Sequence, residues 1–444
     1  MLAQVPPCRE QAARRRSRGY AIGWHLAALL LVIGVVEMPR FARHSALPAA
    51  LFSPASGYLD FDQAYYPAAE QIRSDPGQVY RGATYDGRTG VLDISAPAYF
   101  VNVPLVAWLF VPLTFLPLPQ AGAVFLAINA ALALASLFLL QRRAAGAGEG
   151  WRWAITAVFI TSGPLLNGLN LGQTTLLILL LLLAAEGSLR RGHDVRAGCW
   201  LGLACLVKMP PLVFLPYFAL RRRWRVLVAA TAVLLAAAGV SIASYGWRLH
   251  VTYFDLAIRA NAGTALAAHN SQSVDSLLAR ITTDASIRSW QPEPLGQWAV
   301  AIKWVILAGL MGVAGWILGS ARAPETHARV LRELGALMCL ALLAFPVVWV
   351  HYGAWLLPVI VVIGTAAAEL KPVPAMTLTA VLALAAVLIN FPTPALSTIK
   401  RLDHEPWFRL AISHQLFGTL LLYVLCLWCV RRDAAGLDNA GKWA

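Results

Sequence analysis

The sequence predicts an all-α integral membrane protein that crosses the bilayer many times, and three observations carry that reading. Hydrophobic residues fill 59% of the 444 positions and charged ones only 13%, too little polarity to cover a soluble body of this size. Apolar runs nearly free of charge, such as Thr174 to Ala185 and Val226 to Val240, recur along the chain. In hydrocarbon no water meets a free amide, so such runs close their hydrogen bonds as helices. The alternating pattern of a β-barrel strand is absent.

The net charge of +14 does not point to nucleic acid. Its basic residues stand in short knots between apolar runs: Arg14 to Arg16, Arg142-Arg143, Arg190-Arg191, Arg221 to Arg223 and Arg431-Arg432. That is the positive-inside pattern, and no finger, RRM or basic helix accompanies it. Cys199, Cys205, Cys339, Cys426 and Cys429 lie in or beside apolar runs without zinc spacing and read as small buried hydrophobes.

The first run, Tyr20 to Met38, follows basic residues ending at Arg18 and reads as an uncleaved signal anchor. Residues 1–19 are then a cytoplasmic tail, and 39–119 form a first outer loop. Within that loop Val103 to Pro117 is apolar but short and proline-punctuated, which suits a helix lying at the outer interface. Further spans fall near 120–141, 151–166, 173–188, 197–208, 210–221, 225–245, 298–320, 333–349, 353–369, 375–391 and 411–430. With the anchor this makes roughly 12 helices, a second outer loop at 246–297, and a cytoplasmic tail at 431–444. Residues 20–430 form the membrane domain, both ends lie inside, and every basic knot is cytoplasmic. The pair at 197–208 and 210–221 is too short to cross independently and reads as a broken helix, a common marker of a binding site.

Polar chemistry collects on the opposite, outer side. Asp60 and Asp62 sit among aromatics, where a carboxylate could take a proton from a hydroxyl, or could cap a helix. Asn170 and Gln173 flank Gly172 between two apolar runs, a setting for sugar hydrogen bonds or for an ordinary turn. Lys208 ends one short helix before Pro210-Pro211; its ammonium can grip a phosphate or merely snorkel. His269 to Ser273, with Asn270 and Gln272, leads to Arg280, either a phosphate or sugar site or a solvated loop. His351, between Trp349 and Tyr352, suits phosphate contact, although its neighbours could be an aromatic belt. No outer cluster of carboxylates and histidines demands a divalent metal, and no cofactor is expected.

In order along the chain these pieces resemble the polyprenyl-phosphate-sugar-dependent glycosyltransferases of the GT-C class. Within that class they look like glycosyltransferase family 87, the bacterial α-(1,2)-mannosyltransferase-like membrane proteins. The matching stretches are Asp60-Phe61 with Tyr65-Tyr66 and Ala68-Ala69, Tyr99 to Pro104, Asn170 to Gln173, Lys208 to Pro211, Asn270 with Gln272-Ser273, and Pro346 to Tyr352. The resemblance implies a catalytic aspartate at Asp60, with Asp62 as runner-up because an extra residue precedes Ala68-Ala69. It places the family's late histidine on His351, makes Lys208 and Arg280 candidates for the lipid phosphate, and adds Tyr65 and Asn102 to the donor site. Related sequences often carry paired prolines where this chain has Asn102-Val103-Pro104, which loosens the assignment of Asn102.

The implied activity is inverting transfer of a hexose or pentose, mannose favoured, from a polyprenyl-phosphate carrier to an extracytoplasmic glycan or glycolipid. Its partners are that donor, the acceptor and membrane lipid, with the enzyme in the cell (inner) membrane and its site facing outward. The alternative is a transporter or flippase of lipid-linked sugars, which requires polar residues at mid-depth reached from both faces. A third reading is a structural subunit with a degenerate site, for which Asp60 and His351 would lie far apart.

Overall fold

A computed structural model describes residues 58–86, 91–95, 98–144, 148–320, 326–367, 370, 372–391 and 393–440. The expected anchor at 20–38 and the tail 1–19 lie outside them. The described chain is overwhelmingly helical, with two short antiparallel pairs: β1 (Ala83–Asp86) with β2 (Val91–Ile94), and β3 (Thr264–Ala265) with β4 (Glu293–Pro294). Seven helical stretches among the described residues are long and apolar enough to cross a membrane. The apolar helices 104–115, 175–189 and 210–220 are shorter than that, so a count near twelve is not reached on length and composition.

The first described element is a π-helical turn, Phe61–Tyr65, running into α1 (Tyr66–Ser74). The proline-punctuated stretch expected at the interface is a 3-10 helix, Pro104–Phe115, too short to cross. Phe61 stacks on Phe125 at 4.9 Å and Tyr65 on Phe110 at 4.6 Å. These rings make a small core that joins α1, the 3-10 helix and the start of α2 (Leu118–Arg143).

The main bundle follows. The span expected at 151–166 is two helices, α3 (Glu149–Ile160) and α4 (Gly163–Leu171), parted where Ser162 caps α4 before Pro164. Next come α5 (Thr175–Leu189), α6 (Asp194–Val207), a 3-10 turn over Pro210–Val213 and α7 (Phe214–Leu220). Thus the predicted broken pair exists, with Lys208 in extended backbone between its halves. At the helix-to-helix contact, a Cβ on Gly198 would sit 2.3 Å from the Val226 carbonyl, and one on Gly202 2.8 Å from that of Ala230. Small residues four apart let backbones approach this closely, and α6 thereby lies against α8 (Trp224–Ala257).

α8 runs beyond the expected end at 245. Gly246 breaks its φ/ψ pattern at φ 75°, a conformation costly for residues with a Cβ. The His250 ring spans the kink, with Nδ1 2.9 Å from the Gly246 carbonyl and Nε2 2.8 Å from Ser241 Oγ. Beyond it lie α9 (Val274–Thr282), α10 (Gln297–Ser320) and α11 (His327–Ala344). α11 stops at Ala344 rather than near 349, because Pro346 cannot continue it. A 3-10 turn over Val350–Leu356 leads to α12 (Leu357–Ala367), α13 (Pro372–Asn390), α14 (Leu396–Leu402), α15 (Pro406–Ala411) and α16 (His414–Ala440).

The bundle has two chemically different ends. At one, Arg221 and Arg329 both engage the buried Glu333, which also accepts from Tyr217 Oη at 2.7 Å. Arg143 pairs with Glu186 and Arg332 with Asp433 at the same end. Burying such charges is tolerable only because each is paired and hydrogen-bonded. The other end gathers the residues around Asp60, Gln173, Lys208 and His351.

Candidate active site

The C-terminal end of α4 and the π-helical turn packed on it build the floor of the site. α4 closes in a Schellman motif: Gln173 N–H donates to the Gly168 carbonyl at 2.9 Å and Gly172 N–H to that of Leu169 at 3.1 Å. This motif requires a left-handed residue, and Gly172 supplies it at φ 69°. The same glycine lets the first element come close, since a Cβ there would lie 2.7 Å from Phe61 Cβ and 2.9 Å from Tyr58 Cβ. The turn that places Gln173 therefore also seats Asp60.

Gln173 Nε2 donates to Asp60 Oδ2 at 2.6 Å, and Gln173 Oε1 accepts from Tyr65 Oη at 2.7 Å. Asn102 and Thr174 lie near the Tyr65 phenol, while Thr174 Oγ1 has no hydrogen-bond partner among the described residues. Burial pushes the Asp60 carboxyl above the ordinary range, opposed by the Gln173 hydrogen bond and the nearby Lys208 charge. Burial pulls the Lys208 ammonium down to about 8, opposed by Asp60. Lys208 Nζ stands 5.6 Å from the Tyr352 ring centroid, within cation–π reach. Among the described residues it makes no hydrogen bond or ion pair.

His351 is buried, and its Nε2 has no hydrogen-bond partner among the described residues. Its ring meets that of Tyr352 edge-on at 5.0 Å, and Tyr352 stacks on Trp355 at 4.4 Å. Lys208 is close enough to act electrostatically on both Asp60 and His351. Acid, lysine and imidazole thus share one end of the bundle. Asp62 lies in the same π-helical turn, but its charge bears on Tyr58. Asn170 is partly buried on the last turn of α4.

The segment from His269 to Arg280 is tied by hydrogen bonds to the run that precedes His351. Asn270 carbonyl accepts from Val350 N–H at 3.0 Å, Gln272 N–H donates to the Val348 carbonyl at 2.6 Å, and Ser273 Oγ to that of Pro346 at 2.6 Å. This extended pairing holds the strand-like run 346–350 that delivers His351. Asn270 Oδ1 accepts from the Trp290 indole, and Gln272 Nε2 donates to the carbonyls of His269 and Ile412. Arg280 is 2% exposed. It donates to the carbonyls of Ala267, Ala268 and Ser271 and, at 2.7 Å, to Ser413 Oγ. Its guanidinium nitrogens are thus engaged by groups of the protein itself. Replacing Arg280 with Met is expected to cost roughly 3 kcal/mol or more by stranding these carbonyls. Thermal unfolding measures that loss, while the donor KM of the folded fraction stays within twofold.

Three site neighbours lacked a signal in the sequence. Thr174 looked like the start of an apolar run. Tyr80 donates to the Asn102 carbonyl at 2.8 Å, and Tyr253 carries its ring 6.3 Å from that of Tyr80 and its hydroxyl 3.6 Å from Met209 Sδ. Tyr253 arrives only because α8 continues past its kink. Among the described residues no three His, Cys, Asp or Glu side chains stand close enough to hold a metal ion.

Residues 100–346, more than half of the chain, match glycosyltransferase family 87. The chain belongs to that family. It is therefore a membrane glycosyltransferase, which decides for an enzyme over a transporter. Among curated proteins it is similar to a polyprenol-phosphate-mannose-dependent alpha-(1-2)-phosphatidylinositol mannoside mannosyltransferase of Mycolicibacterium smegmatis. The identity is 29% over 395 residues, covering 84% of this chain and 83% of the relative. It is also similar to a polyprenol-phosphate-mannose-dependent alpha-(1-2)-phosphatidylinositol pentamannoside mannosyltransferase of Mycobacterium tuberculosis. There the identity is 26%, over 79% of this chain and 74% of the relative. No solved structure matches.

Proposed function

We propose that this family 87 glycosyltransferase moves a mannosyl group from a polyprenyl-phosphate carrier to a hydroxyl of a mannosylated phosphatidylinositol-type glycolipid. The observation that carries the reading is the meeting of Asp60 and Lys208 at one end of the bundle, an acceptor of protons beside an unengaged cation. The names of the relatives supply the donor and acceptor classes.

In the proposed step the acceptor oxygen attacks the anomeric carbon while its proton passes to Asp60. The bond from that carbon to the phosphate oxygen breaks, and polyprenyl phosphate departs with the electron pair. Lys208 offsets the charge growing on that phosphate, and the buried Nε2 of His351 is a further hydrogen-bonding group for the donor. One direct displacement inverts the anomeric centre, so an α product requires a β-linked donor. The arginine-rich end lies opposite the site, and the positive-inside rule sets that end in the cytoplasm. The site then faces outward from the cell membrane.

The test is a transfer assay with purified protein in nanodiscs, polyprenyl-phosphate mannose and phosphatidylinositol mannosides as acceptors. Formation of an α-linked product from a β-linked donor is expected. Transfer from a different polyprenyl-phosphate sugar alone would overturn mannose, and retention of configuration would overturn single displacement.

A further inference from the structure

The amide of Gln173 has both of its polar atoms turned to protein groups. A carboxylate can only accept hydrogen bonds, so Gln173 must present Nε2 to Asp60 Oδ2, where it stands at 2.6 Å. Its Oε1 is then left for Tyr65, whose phenol donates at 2.7 Å. Burial first, and the Asp60 charge second, push the Tyr65 phenol well above its usual range, so it keeps the proton that it donates. Donation therefore runs one way, from Tyr65 through Gln173 to Asp60. The backbone beneath the amide is pinned by the Schellman turn at Gly172, and the residue is 8% exposed.

Tying down one carboxylate oxygen has a chemical result. An oxygen already accepting a short hydrogen bond is the poorer proton acceptor, and it cannot swing toward substrate. Oδ1 is left to face the acceptor. We propose that Gln173, expected from the sequence to hydrogen-bond the sugar, is instead a positioning residue. It selects Oδ1 of Asp60 as the oxygen that receives the acceptor's proton, and Tyr65 sets the direction of its amide. This inference rests on the reading of Asp60 as the base.

Two substitutions of similar size separate positioning from mere packing. Gln173→Leu cannot donate, so Asp60 loses both its orientation and the hydrogen bond that favours its charged form. Misplacement of a reacting group by about an ångström costs on the order of a hundredfold. A fall in kcat of roughly tenfold to a hundredfold is expected, with the acid limb of the pH profile moving up by about one unit. The donor KM should stay within twofold. Gln173→Glu regenerates the donor only while the introduced carboxyl and that of Asp60 hold a shared proton. Its activity should exceed that of Gln173→Leu at the acid end and fall as pH rises through the loss of that proton. Tyr65→Phe should reproduce the Leu variant in milder form.

The measurement is kcat and donor KM from pH 5 to 9 for the three variants and the parent, with thermal unfolding alongside. Profiles parallel to the parent's in both Gln173 variants would overturn the proposal. So would a change confined to donor KM, the mark of a sugar contact. Asp60→Asn in the same series distinguishes the two failures. If that variant still transfers sugar, the base assignment itself falls; if it is inactive while the Gln173 profiles stay parallel, only the positioning role falls.

Discussion

Asp60→Asn is expected to lower transfer by roughly a thousandfold, the middle of the range for removing a general base. The substitution is nearly isosteric, and its amide oxygen can still accept from Gln173 Nε2, so the π-helical turn and the Schellman motif beneath it keep their contacts. Thermal unfolding and donor affinity should therefore change little. The assay belongs near pH 6.5. Asp60 helps Lys208 keep its proton, and without that charge the lysine titrates lower, so an alkaline assay would mix two effects. In the parent enzyme the acid limb should lie above the ordinary carboxylate range, because burial raises Asp60. Activity is lost as pH falls through that value. Asp62→Asn should cost less than threefold; a loss equal to that of Asp60→Asn would assign the base wrongly.

The second large effect belongs to Lys208. Lys208→Met removes the unengaged cation at the helix break, and donor kcat/KM should fall by roughly a hundredfold, the scale of one hydrogen bond to a charged group. In the free enzyme the ammonium is pulled down to about 8. The protonated form is the one that binds phosphate, so donor kcat/KM should decline tenfold per unit above that pH. The Met variant should lack this alkaline limb altogether. Lys208→Arg should remove the limb while keeping the charge, since guanidinium stays protonated, though its planar fork will not reproduce the ammonium's position. A Met variant with unchanged donor kcat/KM would take Lys208 out of donor binding.

Much of the bundle could be read ahead because lipid and charge leave little choice. Leu118–Arg143 was expected within two residues at each end, since an apolar run closed by Arg142-Arg143 has only one way to lie. The break at Lys208 was visible because Pro210-Pro211 cannot continue a helix. Other elements were hidden for definite reasons. α8 seemed to end at 245 because Gly246, Arg248 and His250 look like loop composition, yet the His250–Ser241 contact carries the helix across the kink. The run from His269 to Arg280 held the residue types of a ligand site, but residue type does not say whether a donor meets a phosphate or a carbonyl of its own chain. The pairing of 270–272 with 348–350 joins segments some eighty positions apart, and no local pattern announces it.

The missing side chain at Gly172 sets a dimension. Two elements far apart in sequence meet there at backbone distance, and the span from the Asp60 carboxylate to the Lys208 ammonium depends on that closeness. Even a methyl group would act as a shim, forcing the segment bearing the acid off its seat while leaving both reactive groups chemically intact. Efforts to fit larger sugars would do well to diversify the aromatic residues around Asp60 and leave that junction untouched.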